Sequence, residues 1–290
     1  MPAFDAHTHV FASEDEGLLA QGGARRAGFA GVLDELRGVL DGGRIGGALL
    51  ASALPVELWR RLLGPRWPAE EVEERLQHRA FRQNLVLCEG ATTDPRLHVA
   101  AGASATLPAD ATIAHLRELV GRFGVRALKI HPALDFVSPA HPGYRPIYEL
   151  ALALDLVVLS HGGSSEGSPY EDAVQYCAPE QFEPVLRDFP GLRLVVAHLA
   201  HPFEDGLLEL GRSFPNLRTD LSFVLGAGLL EPGGLARTVE AFGVERVLFG
   251  SDFPYFDPTA SLDALGSCGL DDDAVEAIAW GNAAELLSLR

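Results

Sequence analysis

The chain has 290 residues, a mass of 31.0 kDa and 47% hydrophobic residues, enough to bury the core of one large α/β domain. Its formal net charge of −17, from 23 basic and 40 acidic residues, argues against nucleic acid or an anionic membrane as a partner, since both attract basic surfaces. No apolar run reaches the roughly 20 residues that cross a bilayer, and the N-terminus lacks a basic leader region, so a cytoplasmic protein is expected.

In chain order, the first strand is "AFDAHTHV", followed by helical periodicity over residues 30–40. "LDGGRIGGALL" is neither GxGxxG nor a P-loop and reads as the turn into the second strand, "RIGGALLAS". An insertion at about 53–95 carries the charged helix "PAEEVEERLQHRAFRQNLVLCEG" and is expected over the rim or outside the helical ring. Then strand and helix alternate: "LHVAAGAS", 110–123, "VRALKIH", 144–154, "LDLVVLSH", 179–188, "LRLVVAHL", 203–213, "LRTDLSFV", 233–242, "RVLFGSDF" and a last helix over 271–288. Eight apolar strands separated by helices predict a single-domain (β/α)8 barrel over 1–290, with its helical insertion between strands 2 and 3. Cys88, Cys177 and Cys268 have no CxxC spacing and read as buried thiols.

In such a barrel the chemistry sits at the C-terminal ends of the strands. His7 and His9 end strand one, Lys129 and His131 strand four, His161 strand five, His198 strand six and Asp252 strand eight. Strand alternation sends His7 and His9 to one face, where two imidazoles can grip one cation. His7, His9, His161 and Asp252 form a neutral-imidazole and carboxylate set suited to zinc or a similar divalent ion with a position open for water. His198 remains as a general acid/base.

"FDAHTHVF", "LKIHPAL", "LSHGG", "FPGLRLVVAHLAHP", "LRTDLS", "VLFGSDFPY" and "GNAAELLSL" together resemble the amidohydrolase superfamily, specifically the amidohydrolase-2 branch of TIM-barrel metal-dependent hydrolases and decarboxylases. The resemblance implies a zinc or manganese site at His7, His9, His161 and Asp252, with His198 catalytic, Asp252 also taking a proton from water, and a homodimer. Decarboxylases of this branch often carry an acidic residue near the first-strand histidines. Thr8 stands there instead, which favours a hydrolase that turns activated water on a small amide, cyclic amide or lactone. The alternative is non-oxidative decarboxylation of an aromatic or unsaturated carboxylic acid. A barrel that has lost turnover and serves in binding is a third reading, disfavoured by the full set of ligands.

Lys129 is the only lysine among the 23 basic residues. A buried lysine can lose its proton, whereas arginine keeps its charge. In binuclear relatives a lysine at a similar position is carboxylated and bridges two metals. One ion is favoured here, with Lys129 and His131 facing the substrate, and two are expected if Lys129 is carboxylated. His141 and His201 read as loop or capping residues, His78, His98 and His115 as structural, and Tyr144 and Arg145 as candidate contacts to an acidic substrate. Ser164, Ser165 and Glu166 read as shaping the pocket after strand five. No GxSxG nucleophile motif is present.

Overall fold

The computed structural model describes residues 2–163 and 171–289; Ser164, Ser165 and Glu166 lie outside them. Eight parallel strands run in the order β1 to β8: Ala3–Thr8, Ile45–Ala51, Leu97–Gly102, Ala127–Ile130, Val157–Ser160, Arg193–Val196, Arg218–Asp220 and Val247–Leu248. The Ala6 amide donates to the Phe249 carbonyl at 2.9 Å, and Thr8 bridges Phe253, which closes β8 onto β1. The (β/α)8 expectation holds.

After β1 come α1 (Glu14–Ala20) and α2 (Leu33–Asp41), and after β2 come α3 (Val56–Leu63) and α4 (Ala69–Ala91). The next helices are α5 (Ala109–Phe123), α6 (Pro132–Asp135), α7 (Arg145–Ala153), α8 (Glu183–Asp188) and α9 (Glu204–Ser213). The last five are α10 (Val224–Ala227), α11 (Pro232–Phe242), α12 (Pro258–Gly266), α13 (Asp272–Glu276) and α14 (Asn282–Leu287).

The segment expected outside the ring divides in two. The first half of α4 packs Val72, Leu76 and Ala80 with Trp59 of α3 in a satellite cluster. Its second half supplies Leu87 and Cys88 to the main core and so serves as the ring helix between β2 and β3. There Asn84 clamps Gly102 through both its backbone groups, at 2.9 and 2.8 Å. The helix expected over 271–288 is broken by a π-turn at Ala277–Gly281, so that α14 turns under the barrel. Ala283, Leu286 and Leu287 plug the barrel floor against Phe4, Val157 and Val195.

The cluster that fills the barrel interior includes five small side chains, Ala6, Ala51, Ala100, Ala127 and Ala197, beside Leu49, Leu159 and Leu248. All three cysteines are free and buried, as expected.

Candidate metal centre

Simple alternation does not deliver His7. Phe4 and Ala6 face the barrel interior, so strict alternation would send the next odd-numbered side chain outward. The β1–β2 register instead slips between Asp5 and Thr8, where Asp5 stands opposite Ala48 and Thr8 opposite Leu50. The extra residue is a bulge, a device that re-aims side chains near active sites. His7 now turns to the mouth beside His9, with ring centroids 5.1 Å apart. Thr8 meanwhile spends its hydroxyl on the Leu49 carbonyl at 2.9 Å and does not join the cluster. The preference for hydrolysis drawn from Thr8 therefore loses its basis.

Left-handed backbone aims the other groups. His198, Leu199 and Ala200 have φ of 63°, 51° and 51°, and Asp252 has φ of 62°. Each such non-glycine residue costs about 1 kcal/mol or more, and such strain collects at functional sites. Gly250 makes room for the cluster, since a Cβ there would come within 3.0 Å of the His7 Cβ and 2.9 Å of the Ser222 Cβ.

The donor atoms of His7, His198 and Asp252 all lie within 4.8 Å of one another, and all three residues are buried. His9 Nε2 is 3.3 Å from Asp252 Oδ1, because its Nδ1–H is taken by the Ala51 carbonyl at 2.7 Å. The His161 ring sits edge-on to His198 at 5.0 Å and stacks on His131 at 4.0 Å. Lys129 Nζ, 1% exposed, reaches His7 Nε2 at 3.0 Å. All seven strand-end residues singled out in the sequence thus converge, with His198 inside the tightest group and His161 one ring away.

Asp220, at the end of β7, organises this cluster. Its Oδ2 accepts from His7 Nδ1 at 2.9 Å, and its Oδ1 accepts from the amides of His198 at 3.0 Å and Ser222 at 3.1 Å and from the Ser222 hydroxyl. Ser222 Oγ in turn lies 2.8 Å from His198 Nδ1 and 3.0 Å from His7 Nδ1. Burial by itself would raise the Asp220 pKa, but His7, His198 and Ser222 outweigh it and hold the carboxyl far below its usual range. Burial first and the Lys129 charge second push His7 down to about 3, so it stays neutral and donates Nδ1–H. Its Nε2 lone pair faces the centre, where it now accepts from Lys129 Nζ; a cation held by His7 would take that lone pair and release the Lys129 N–H, the carboxylate–histidine arrangement otherwise suiting a metal ligand. Neither Asp220 nor Ser222 was singled out in the sequence, although the strand-end criterion applied to "LRTDLS" would have found the carboxylate.

Asp252 is likewise held well below the usual carboxylate range: burial opposes this, but the His9 hydrogen bond and the neighbouring imidazoles outweigh it. Burial depresses His161 and His198, keeping both imidazoles neutral. Two or more neutral imidazoles and an ionised carboxylate at this spacing fit a divalent cation. Lys129 is lowered by desolvation to about 8 and keeps its proton at pH 7. Below the cluster Asp5 is pushed up to about 7, chiefly by burial; its Oδ1 accepts from Ser251 and His7 amides, while Oδ2 has no partner among the described residues.

The remaining expected residues sort by their bonds. His131 Nδ1 accepts from the Leu134 amide at 3.3 Å and so caps α6, leaving only Nε2 for the pocket. His141 caps the turn at Gly143, and His201 pairs with Glu204, in keeping with loop roles. Tyr144 is fully buried with its hydroxyl on Asp135 at 2.5 Å, so it does not meet substrate. Arg145 is exposed and pairs with Glu149 and Asp188. His115 stacks on Phe81 at 4.1 Å. The mouth also has aromatic walls that sequence reading missed: Phe223 stands edge-on to His198 at 6.0 Å, and Tyr255 edge-on to His9 at 6.3 Å.

The family model described as Amidohydrolase matches residues 4–289. The chain belongs to the amidohydrolase family. Its resemblance to the amidohydrolase-2 branch is thereby established, and it is an enzyme of that superfamily. No curated protein matches it significantly. Among solved structures it is similar to 5-carboxyvanillate decarboxylase from Sphingomonas paucimobilis, with a TM-score of 0.71 and 17% identity over 100% of this chain and 99% of that one. It is also similar to a dihydroxybenzoic acid decarboxylase from Polaromonas sp. JS666 with bound manganese and 2-nitroresorcinol, with a TM-score of 0.73 and 15% identity over 99% and 97%. A putative 2-pyrone-4,6-dicarboxylic acid hydrolase from Pseudomonas putida gives a TM-score of 0.65 and 18% identity over 100% and 98%. At these identities the likeness carries the fold alone. No helix among the described residues is long and apolar enough to cross a membrane.

Proposed function

We propose that this amidohydrolase-family enzyme removes the carboxyl group of an aromatic or unsaturated acid as CO2, without oxidation. The observation that carries the reading is Lys129. It is a buried ammonium with three N–H donors, of which one meets His7, and among the described residues no carboxylate lies within hydrogen-bond distance of it. Asp220 and Asp252 support its charge only from beyond ion-pair distance, which leaves a buried cation without a direct partner, and an anionic substrate would supply one. A neutral amide does not. The aromatic walls of Phe223 and Tyr255 suit a planar ring, and the two decarboxylases of the same fold act on aromatic acids according to their names.

His7, His9, His161 and Asp252 would hold the cation, with manganese favoured over zinc by the manganese-bound neighbour. When bound, it adds positive charge that grips substrate oxygens and stabilises electron density developing beside the carboxylate. Lys129 binds the anion and orients it against His198. The His198 Nδ1–H is held by the Ser222 carbonyl at 3.1 Å and by Ser222 Oγ, so Nε2 is the atom that handles the transferred proton. An entering carboxylate raises the proton affinity of that imidazole. His198 then protonates the carbon bearing the carboxyl group, the C–C bond pair returns to the ring, and CO2 departs.

The 4.8 Å grouping of His7, His198 and Asp252 favours a second assignment, with His198 itself a ligand in place of His161. The two assignments differ in which substitution releases metal. The reaction class is tested by incubating the manganese-loaded protein with dihydroxybenzoates and related acids and measuring CO2 and the decarboxylated arene. Turnover of a lactone or cyclic amide with no CO2 from any acid would restore the hydrolase reading. Two metal ions per chain would mark Lys129 as a carboxylated bridge.

A further inference from the structure

Between β7 and α10 the backbone makes a turn that costs the fold energy. Phe223 has φ of 65° and ψ of −50°, and the Val224 amide donates to the Ser222 carbonyl at 2.7 Å. A hydrogen bond between residues two apart at these angles is a γ-turn of the rare, strained kind rather than the common inverse one. A bulky side chain at such a φ is an outlier, whereas glycine adopts it freely. The turn is braced from outside: the Phe223 ring stands edge-on to Phe256 at 5.5 Å, and Phe256 packs on the α10 backbone at Gly226, where a Cβ would collide with its ring. The Phe223 carbonyl in turn accepts from the Ala227 amide at 2.8 Å. Strain of this kind persists only where the surroundings over-determine it.

What the turn holds is the Ser222 carbonyl, and that oxygen also lies 3.1 Å from His198 Nδ1. Ser222 Oγ is 2.8 Å from the same nitrogen, but a hydroxyl can rotate to donate or to accept and so serves either tautomer of the imidazole. A carbonyl only accepts. It is therefore the group that requires the His198 proton on Nδ1. Bringing Phe223 to an ordinary negative φ with α10 in place would turn over the Ser222–Phe223 peptide and carry this oxygen away from the ring.

We infer that Phe223 is a positioning residue that acts through its backbone: its strained turn fixes the Ser222 carbonyl on His198 Nδ1 and leaves Nε2 as the nitrogen with a free lone pair. The Phe223 ring is a wall of the pocket, but the carbonyl is what the strain serves. The catalytic consequence rests on the decarboxylase reading, in which Nε2 handles the proton; the tautomer does not.

The test reads the tautomer directly. In metal-free protein labelled with 15N-histidine, two-bond 15N–1H correlations distinguish a proton on Nδ1 from one on Nε2, with the His198 signals assigned by their loss in His198→Gln. Wild type and Phe223→Gly, in which glycine takes the turn without strain, are expected to carry the proton on Nδ1. Phe223→Val, whose branched side chain resists a positive φ, is expected to lose that preference. Packing alone gives the reverse order, because valine fills more of the space. Both substitutions remove the ring, so KM for an aromatic acid should rise alike, while kcat of manganese-loaded Phe223→Val should fall at least about tenfold below that of Phe223→Gly. Val224→Pro removes the amide that closes the turn, at a first helical position where proline is accepted, and is expected to behave as Phe223→Val does. Melting by circular dichroism controls for the fold. A wild-type His198 protonated on Nε2 overturns the inference without any variant. So does a folded Phe223→Val or Val224→Pro that keeps the Nδ1 proton, or a Phe223→Gly that loses it. Tautomers as expected with no decarboxylation would overturn the proposed reaction and leave the role of the turn standing.

Discussion

Asp220→Asn isolates what the β7 carboxylate does for the candidate metal centre. Asparagine keeps the shape and one carbonyl oxygen, which can still accept from the His198 and Ser222 amides now bound by Oδ1 at 3.0 and 3.1 Å. The other position becomes an NH2 group, placed 2.9 Å from His7 Nδ1. Two donors cannot face each other there. His7 must give up its Nδ1 proton and carry it on Nε2, the atom that faces the centre beside Lys129. The lone pair offered to a cation is lost. Changes to such outer partners typically cost about 10–100-fold in metal affinity, equivalent to about 1.4–2.8 kcal/mol. Isothermal titration of the metal-free protein with Mn²⁺ measures the loss directly. Ser222→Ala is the companion: it removes the hydroxyl near His198 Nδ1 but leaves the His7–Asp220 bond, so turnover should fall more than Mn²⁺ affinity. A folded Asp220→Asn protein that binds Mn²⁺ as tightly as wild type would refute the claim that Asp220 sets the His7 tautomer.

His198→Gln is expected to keep its metal while losing about 10²–10⁴ in kcat, the usual worth of a positioned acid/base, whereas His161→Ala should lose metal; elemental analysis showing the reverse would make His198 the ligand. Lys129→Met, which removes the buried ammonium, should raise KM for a carboxylate substrate at least tenfold and spare or raise Tm, and an unchanged KM would remove Lys129 from substrate binding. Asp135 should make stability depend on pH. Its carboxyl, pushed up to about 6 by burial, exceeds the unfolded value near 3.8, so stability is lost as pH rises from about 4 to 6 and stays lost above; the difference is about 3 kcal/mol. Asn at this site can still accept from Tyr144 and Ala105 and donate to Ser104, so Asp135→Asn should flatten that pH slope in denaturant titrations.

What was legible in the sequence followed from periodicity and position. Ala127 and Lys129 share a face by alternation alone, and Val157, Leu159 and His161 do so equally, which is why the order of residues suffices to bring β4 and β5 onto the site. β1 could be read only by an assumption that fails, since His7 reaches the mouth through a bulge that no residue in "FDAHTHV" announces. His198, Leu199, Ala200 and Asp252 depend on left-handed backbone; histidine and aspartate are among the non-glycine types that visit it most readily, but Leu199 and Ala200 give no such signal. Local preference and observed conformation conflict there, and the surrounding fold must supply the energy that holds them. The α4 helix shows the opposite case. Its charge suggested an excursion from the barrel, but half of it packs on β3, because a 23-residue helix is long enough to serve the rim with one end and the ring with the other. The strained positions are therefore the informative ones: where sequence preference is overruled at three strand ends at once, and each overruled residue carries or adjoins a candidate ligand, the fold gives up stability to hold the geometry of the candidate cation site.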